Sequence, residues 1–209
     1  MQAPDTRAAA VQRARLLTNV TIGYNVVEGV VAVLAGIVAG SVSLVGFGLD
    51  SAVEVSTAVV LAWRLRQERR GGCMTDYDRR ATRMIAVCFV ALALWVGFEA
   101  VSQLTTREAP RASTVGIVVA VLSVILMPLL ARAKRRLAPA LGSQAVIREA
   151  RQTQLCAWLS GVLLVGLALN AGPGWWWADP AAALVIAGAA AWEGRGAWRA
   201  ESLEDTCCA

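Results

Sequence analysis

Residues 41–66 read SVSLVGFGLDSAVEVSTAVVLAWRLR. From Val42 to Trp63 the run is long and apolar enough to cross a bilayer, because roughly twenty helical residues at a rise of 1.5 Å span a hydrocarbon core of about 30 Å. Yet it carries Asp50 and Glu54. An ionisable side chain that deep costs several kcal/mol unless it is paired, hydrated or neutral, which makes it a functional candidate. A spacing of four puts both carboxyl groups on one helix face, one turn apart. By helical rise Asp50 lies roughly 14 Å below the turn at Gly40 and Ser41, close to the midplane.

Working outward, the same apolar pattern recurs on both sides. A first span runs from about Leu16 to Ala39, a third from Met84 to Leu104, a fourth from Ser113 to Leu130, a fifth from Gln144 to Leu169 and a sixth from Asp179 to Trp198. Over 209 residues, 57% are hydrophobic and 17% charged, and the mean hydropathy is +0.55. A soluble domain carries more charge than this. The expected fold is an all-α integral membrane protein, a bundle of six transmembrane helices filling residues 16–199, with short tails at 1–15 and 200–209. Ser143 is positioned to cap the fifth helix. The polar, Ala- and Arg-rich residues 1–15 do not read as a secretory signal peptide.

Orientation follows from the basic residues. With the N-terminus inside, only Arg107 and Arg111 fall in an outer loop, and the other eighteen of the 20 Lys and Arg lie on or beside the inner face. That asymmetry is the positive-inside pattern. It predicts both ends in the cytoplasm and a multi-pass protein of the cell membrane. It also argues against nucleic acid as the reason for the net charge of +5. Trp175, Trp176 and Trp177 are expected at the outer interface, and Trp63, Trp192 and Trp198 at the inner one. Cys73, Cys207 and Cys208 then face the cytoplasm, and no structural disulfide is expected among the five cysteines. The Ala- and Gly-rich sixth span admits close helix approach, either within the bundle or in a homodimer.

Two carboxylates on one buried face repel each other, so they hold a proton or a cation between them. No Lys or Arg falls within the apolar centre of any span as drawn, so the positive charge is expected to be mobile: a metal ion, a proton or a cationic substrate. Glu28, with Asn25 about one turn before it, either lines a pathway in span one or bonds a neighbouring helix. Glu193 is expected to reach water and pair with Arg195 or Arg199. In span five, Gln152 and Cys156 repeat the four-residue spacing, and both residue types are able to coordinate metal. A buried Cys is otherwise a small apolar filler.

The stretch SVSLVGFGLDSAVEVSTAVVLAWRLR resembles span two of the cation diffusion facilitator family. So does the layout of six helices with both ends inside. Asp50 and Glu54 match that family's first metal-binding pair, with Glu in place of the usual second Asp, and Gln152 and Cys156 occupy the positions of its span-five pair. Asp179-Pro180, opening span six, also resembles the family pattern. The resemblance implies a transporter of divalent cations, commonly zinc, that exports them in exchange for protons and has no catalytic or cofactor chemistry of its own. Typical members carry a cytoplasmic domain after span six. Only about ten residues follow it here, so a form without that domain is expected. The chain has no histidine, so the usual imidazole ligands are replaced.

On this reading Asp50, Glu54 and Cys156 hold the cation, with Gln152 or Asn25 completing a roughly tetrahedral set. Glu28 and Asp179 are weaker candidates for a proton route. Glu204, Asp205, Cys207 and Cys208 either capture metal at the inner mouth or have no such part. The rival class is a non-transporting membrane protein that binds metal or a partner on the same scaffold. An intramembrane enzyme finds no nucleophile–base arrangement to support it.

Overall fold

The computed structural model describes residues 4–68, 75–141 and 144–200. They form six helices: α1 (Pro4–Ala39), α2 (Val42–Glu68), α3 (Thr75–Thr106), α4 (Thr114–Leu141), α5 (Gln144–Ala171) and α6 (Ala178–Ala200). Pro4 opens α1, where its missing N–H costs nothing. Each helix takes in its expected span, apart from Ser113 just before α4, and most run past it. The basic segment after Leu130, beyond the expected fourth span, continues α4 as helix to Leu141.

The molecule is built inside out relative to a soluble bundle. Val26, Val30, Leu34 and Ile37 of α1 are exposed, as are Leu94 and Phe98 of α3 and Ile125 and Leu129 of α4. Asn25, Glu28, Asp50, Glu54, Lys134 and Asp179 are buried. Apolar surface that faces outward over whole helices suits lipid, and polar groups without water must find partners inside. Among the described residues, four helices qualify as membrane spans by length and hydropathy on their own, at Arg15–Ala39, Arg83–Thr106, Thr114–Leu137 and Ala150–Ala171. The other two, α2 and α6, carry Asp50, Glu54, Asp179 and Glu193.

The closest pairings are α3 with α6, α4 with α5, and α1 with α2. Two apolar cores result. One gathers Ala32, Leu44, Phe47, Met127, Cys156 and Leu163 from α1, α2, α4 and α5. The other gathers Phe89, Val96, Ala183 and Ala187 between α3 and α6, with Val42 of α2. Small residues set the closest approaches. A Cβ on Gly48 would come within 2.9 Å of the Gly29 carbonyl oxygen, so α1 and α2 cross backbone to backbone. The Ala- and Gly-rich α6 uses Ala183, Ala187 and Ala190 against α3, which is packing within the bundle.

One end of the bundle is stitched shut. Gly40 turns α1 into α2 at φ 67°, a left-handed value that glycine adopts without strain. Arg111 N donates to Ala39 O at 2.8 Å, Gln103 Nε2 to Gly40 O at 2.8 Å, and Asn170 Nδ2 to Pro110 O at 2.9 Å. Trp175 and Trp177 stack there with ring centroids 5.5 Å apart, while Trp192 and Trp198 are exposed towards the other end of α6. Cys73, Ser143, Glu204, Asp205, Cys207 and Cys208 lie outside the described residues, as does the side chain of Trp63.

Candidate functional site

The site sits between α1, α2, α4 and α5, nearer the end that carries the N-terminus. Its centre is Glu54. The carboxylate oxygen Oε2 accepts a 2.9 Å hydrogen bond from Asn25 Nδ2 across the α1–α2 contact. Glu54 and Asn25 line a cavity of about 30 Å³ together with Gln152, Thr153, Thr21 and Lys134, a volume that holds about one water molecule. Asn25 is 4% exposed, and its Oδ1 has no hydrogen-bond partner. A buried acceptor without a donor is uncommon enough to require a reason.

Asp50 is buried one turn from Glu54, close enough to feel its charge. Glu193 of α6 is another electrostatic neighbour. Glu193 is half-buried, so part of its surface still meets the surroundings of the bundle while its charge is felt at Asp50. Cys156 is buried one turn from Gln152, within electrostatic range of Glu54, Glu28 and Asp50. Of the expected ligand set, the structure therefore brings Glu54, Asn25 and Gln152 to one cavity and leaves Asp50 and Cys156 just off it. Among the described residues no three of the His, Cys, Asp and Glu side chains stand close enough together to hold a metal ion.

The two residues offered for a proton route are separate. Glu28 accepts from Ser51 Oγ at 3.3 Å and from Ser123 Oγ, and Ser123 in turn meets Tyr24 Oη at 2.7 Å. That closed set ties α1 to α2 and α4 beside Glu54. Asp179 lies at the stitched end, fully buried. Its Oδ1 accepts from Ser41 Oγ at 2.6 Å and Ser43 Oγ at 2.5 Å, and its Oδ2 from Ser43 N at 3.4 Å. A carboxylate that receives the Ser43 N–H in the first turn of α2 is a helix cap supplied from another helix.

One expectation is corrected. A fixed cation is present: Lys134 of α4 is 2% exposed, lines the cavity with Glu54 and interacts with it electrostatically. Its Nζ donates to Thr153 Oγ1 at 3.2 Å. The physical reason is the length of α4. Because the helix continues past Leu130, Lys134 falls on the same face as Ser123, Met127 and Ala131, which is the buried face. The heptad-like spacing of Gly116, Ala120, Ser123, Met127, Ala131 and Lys134 was the signal that could have found it.

Residues 20–199 match the family described as the cation efflux transmembrane domain. An uncharacterized transporter of Synechocystis sp. is 28% identical over 165 residues, which cover 75% of this chain and 53% of that protein. The chain thus spans about half the length of the curated relative it matches. Six helices with acids turned inward, together with a family match that takes in all six, place this chain in the cation efflux family.

Proposed function

We propose that the protein carries a divalent cation, zinc in the first instance, out of the cytoplasm in exchange for protons, by alternating access about a site near the bilayer midplane. The observation that supports this most is the orphan Oδ1 of Asn25, a residue that lines a cavity of one-ion size together with Glu54. A metal ion would satisfy that oxygen and the carboxylate together. Asp50 and Cys156, one turn away on α2 and α5, are the side chains whose rotation would complete a four-ligand set with Gln152 or Asn25. Thiolate favours zinc or cadmium and oxygen donors favour manganese, so the mixed donor set puts zinc first.

Metal binding needs deprotonated ligands, so ion and proton compete for the same carboxylates. With no histidine in the chain, the proton rides on Asp50, Glu54 or Glu28. The N-terminal end, rich in Arg, is the cytoplasmic one by the positive-inside rule, which sets the cavity nearer the cytoplasm. In liposomes under a pH gradient, zinc flux should be measurable for the wild type and fall to background for Asp50→Asn. Equal flux in both removes Asp50 from the site.

A second reading has its own support: the absence, among the described residues, of three converging His, Cys, Asp or Glu side chains. It makes the protein a non-transporting binder of metal or of a partner. Zinc that raises the thermal midpoint without any flux in liposomes selects this reading over the first.

A further inference from the structure

The chain has 20 basic residues, and Lys134 is the single lysine among them. Every other cation is an arginine. On α4 the flanking Arg132, Arg135 and Arg136 are exposed, while Lys134 is turned in and 2% exposed. The position is therefore not an ordinary basic helix end. Its ammonium donates to the neutral Thr153 Oγ1 at 3.2 Å, and Lys134 shares the cavity with Glu54.

Lysine and arginine differ in how firmly they hold a carboxylate. A guanidinium grips it with two parallel hydrogen bonds, whereas an ammonium is a compact charge on a flexible four-carbon stem. Such a stem is able to swing its head to water while its methylenes stay in apolar surroundings. Lys134 lies toward the end of α4 that carries the Arg-rich segment, so water is within reach in that direction.

We propose that Lys134 is a tethered counter-cation: its ammonium neutralises Glu54 while the site is empty, and an entering divalent cation displaces it toward the basic end of the bundle. The inference rests on the cation-transport reading and adds a regulator to that site. A dication and an ammonium repel strongly at contact distance in a low-dielectric interior, so both cannot serve Glu54 at once. Lys134 thereby sets a threshold: the carboxylate opens only to a cation that binds better than the one the chain already supplies. It also leaves the empty site without an exposed negative charge.

Two measurements on the full chain in lipid nanodiscs test this. The first is zinc affinity for the wild type, Lys134→Met and Lys134→Arg. Removal of the competitor should tighten binding at least roughly tenfold in Lys134→Met, and Lys134→Arg should bind no more tightly than the wild type. The second needs no variant. A water-soluble amine-acylating reagent, with the modified residue located by mass spectrometry, has one ε-amine to report on and the α-amine as an internal standard. Zinc should speed acylation of Lys134 several-fold and leave the α-amine rate unchanged. Equal affinity of the wild type and Lys134→Met, or protection of Lys134 by zinc, overturns the tethered cation and leaves the transport reading standing. If neither the wild type nor Lys134→Met binds any divalent cation tried, the transport reading itself fails, and this inference with it.

Discussion

Asn25 carries a donor and an acceptor on one amide, and its surroundings decide which faces where. A carboxylate accepts and does not donate, so the bond to Glu54 turns Nδ2 toward α2 and leaves Oδ1 without a hydrogen-bond partner. Asn25→Leu keeps the approximate shape and removes both functions. The lost donor costs about 1–3 kcal/mol at Glu54, while removal of an unsatisfied acceptor gives back a similar amount. Stability without metal should then stay within about 1 kcal/mol of the wild type, whereas zinc affinity should fall at least roughly tenfold, or about 1.4 kcal/mol. Thermal unfolding with and without zinc separates the two effects, and unchanged affinity would exclude Asn25 as a ligand. Asn25, Glu28, Asp50 and Glu54 were legible in the sequence because each interrupts an apolar run. Lys134 was not, because it sits in the Arg-rich segment ARAKRR, where one more cation carries no contrast.

At the scale of the helix, hydropathy locates where a span begins to be apolar better than where the helix ends. α1 starts at Pro4, α3 at Thr75, and α4 stops at Leu141, each well beyond its apolar run. Backbone hydrogen bonding continues the helix out of the bilayer at no cost, and nothing in the first charged residue ends it. The extra turns of α4 are what carry Lys134 onto the buried face. Helix contacts were legible only as composition: glycine and alanine mark a close approach without naming the partner. The partners can be tested. At Gly48 a Cβ would lie 2.8 Å from Val33 Cγ2 and 2.9 Å from the Gly29 carbonyl oxygen, and backbone cannot move aside alone. Gly48→Ala should destabilise the protein by about 1–3 kcal/mol through overpacking. Gly188→Ala on α6, where nothing lies within 4 Å, should be neutral or stabilising by about 0.5–1 kcal/mol, since it only removes glycine's backbone freedom. Reversed signs in thermal unfolding would mean that α1 and α2 do not cross at Gly48.

At the scale of the whole molecule, the end away from the N-terminus is joined across its loops. The loops after α1, α3 and α5 are joined by Arg111 N to Ala39 O, Gln103 Nε2 to Gly40 O and Asn170 Nδ2 to Pro110 O, and Asp179 clasps the start of α2 beneath them. The cavity lies toward the other end. On the proposed carrier reading, release on the side away from the N-terminus requires the stitched end to part. The Asp179 clasp is among the bonds to be broken, since it ties the start of α6, packed on α3, to the start of α2. Its worth is measurable by a double-mutant cycle. Asp179→Ala leaves two hydroxyls and one N–H without their acceptor, and Ser43→Ala removes one of those donors. If the clasp holds the end together, the two changes should not add: the coupling free energy from thermal or denaturant unfolding should reach about 1–3 kcal/mol. Additive losses, with a coupling near zero, would mean that Asp179 is held by burial alone, and the seal of that end would then rest on the loop bonds above it.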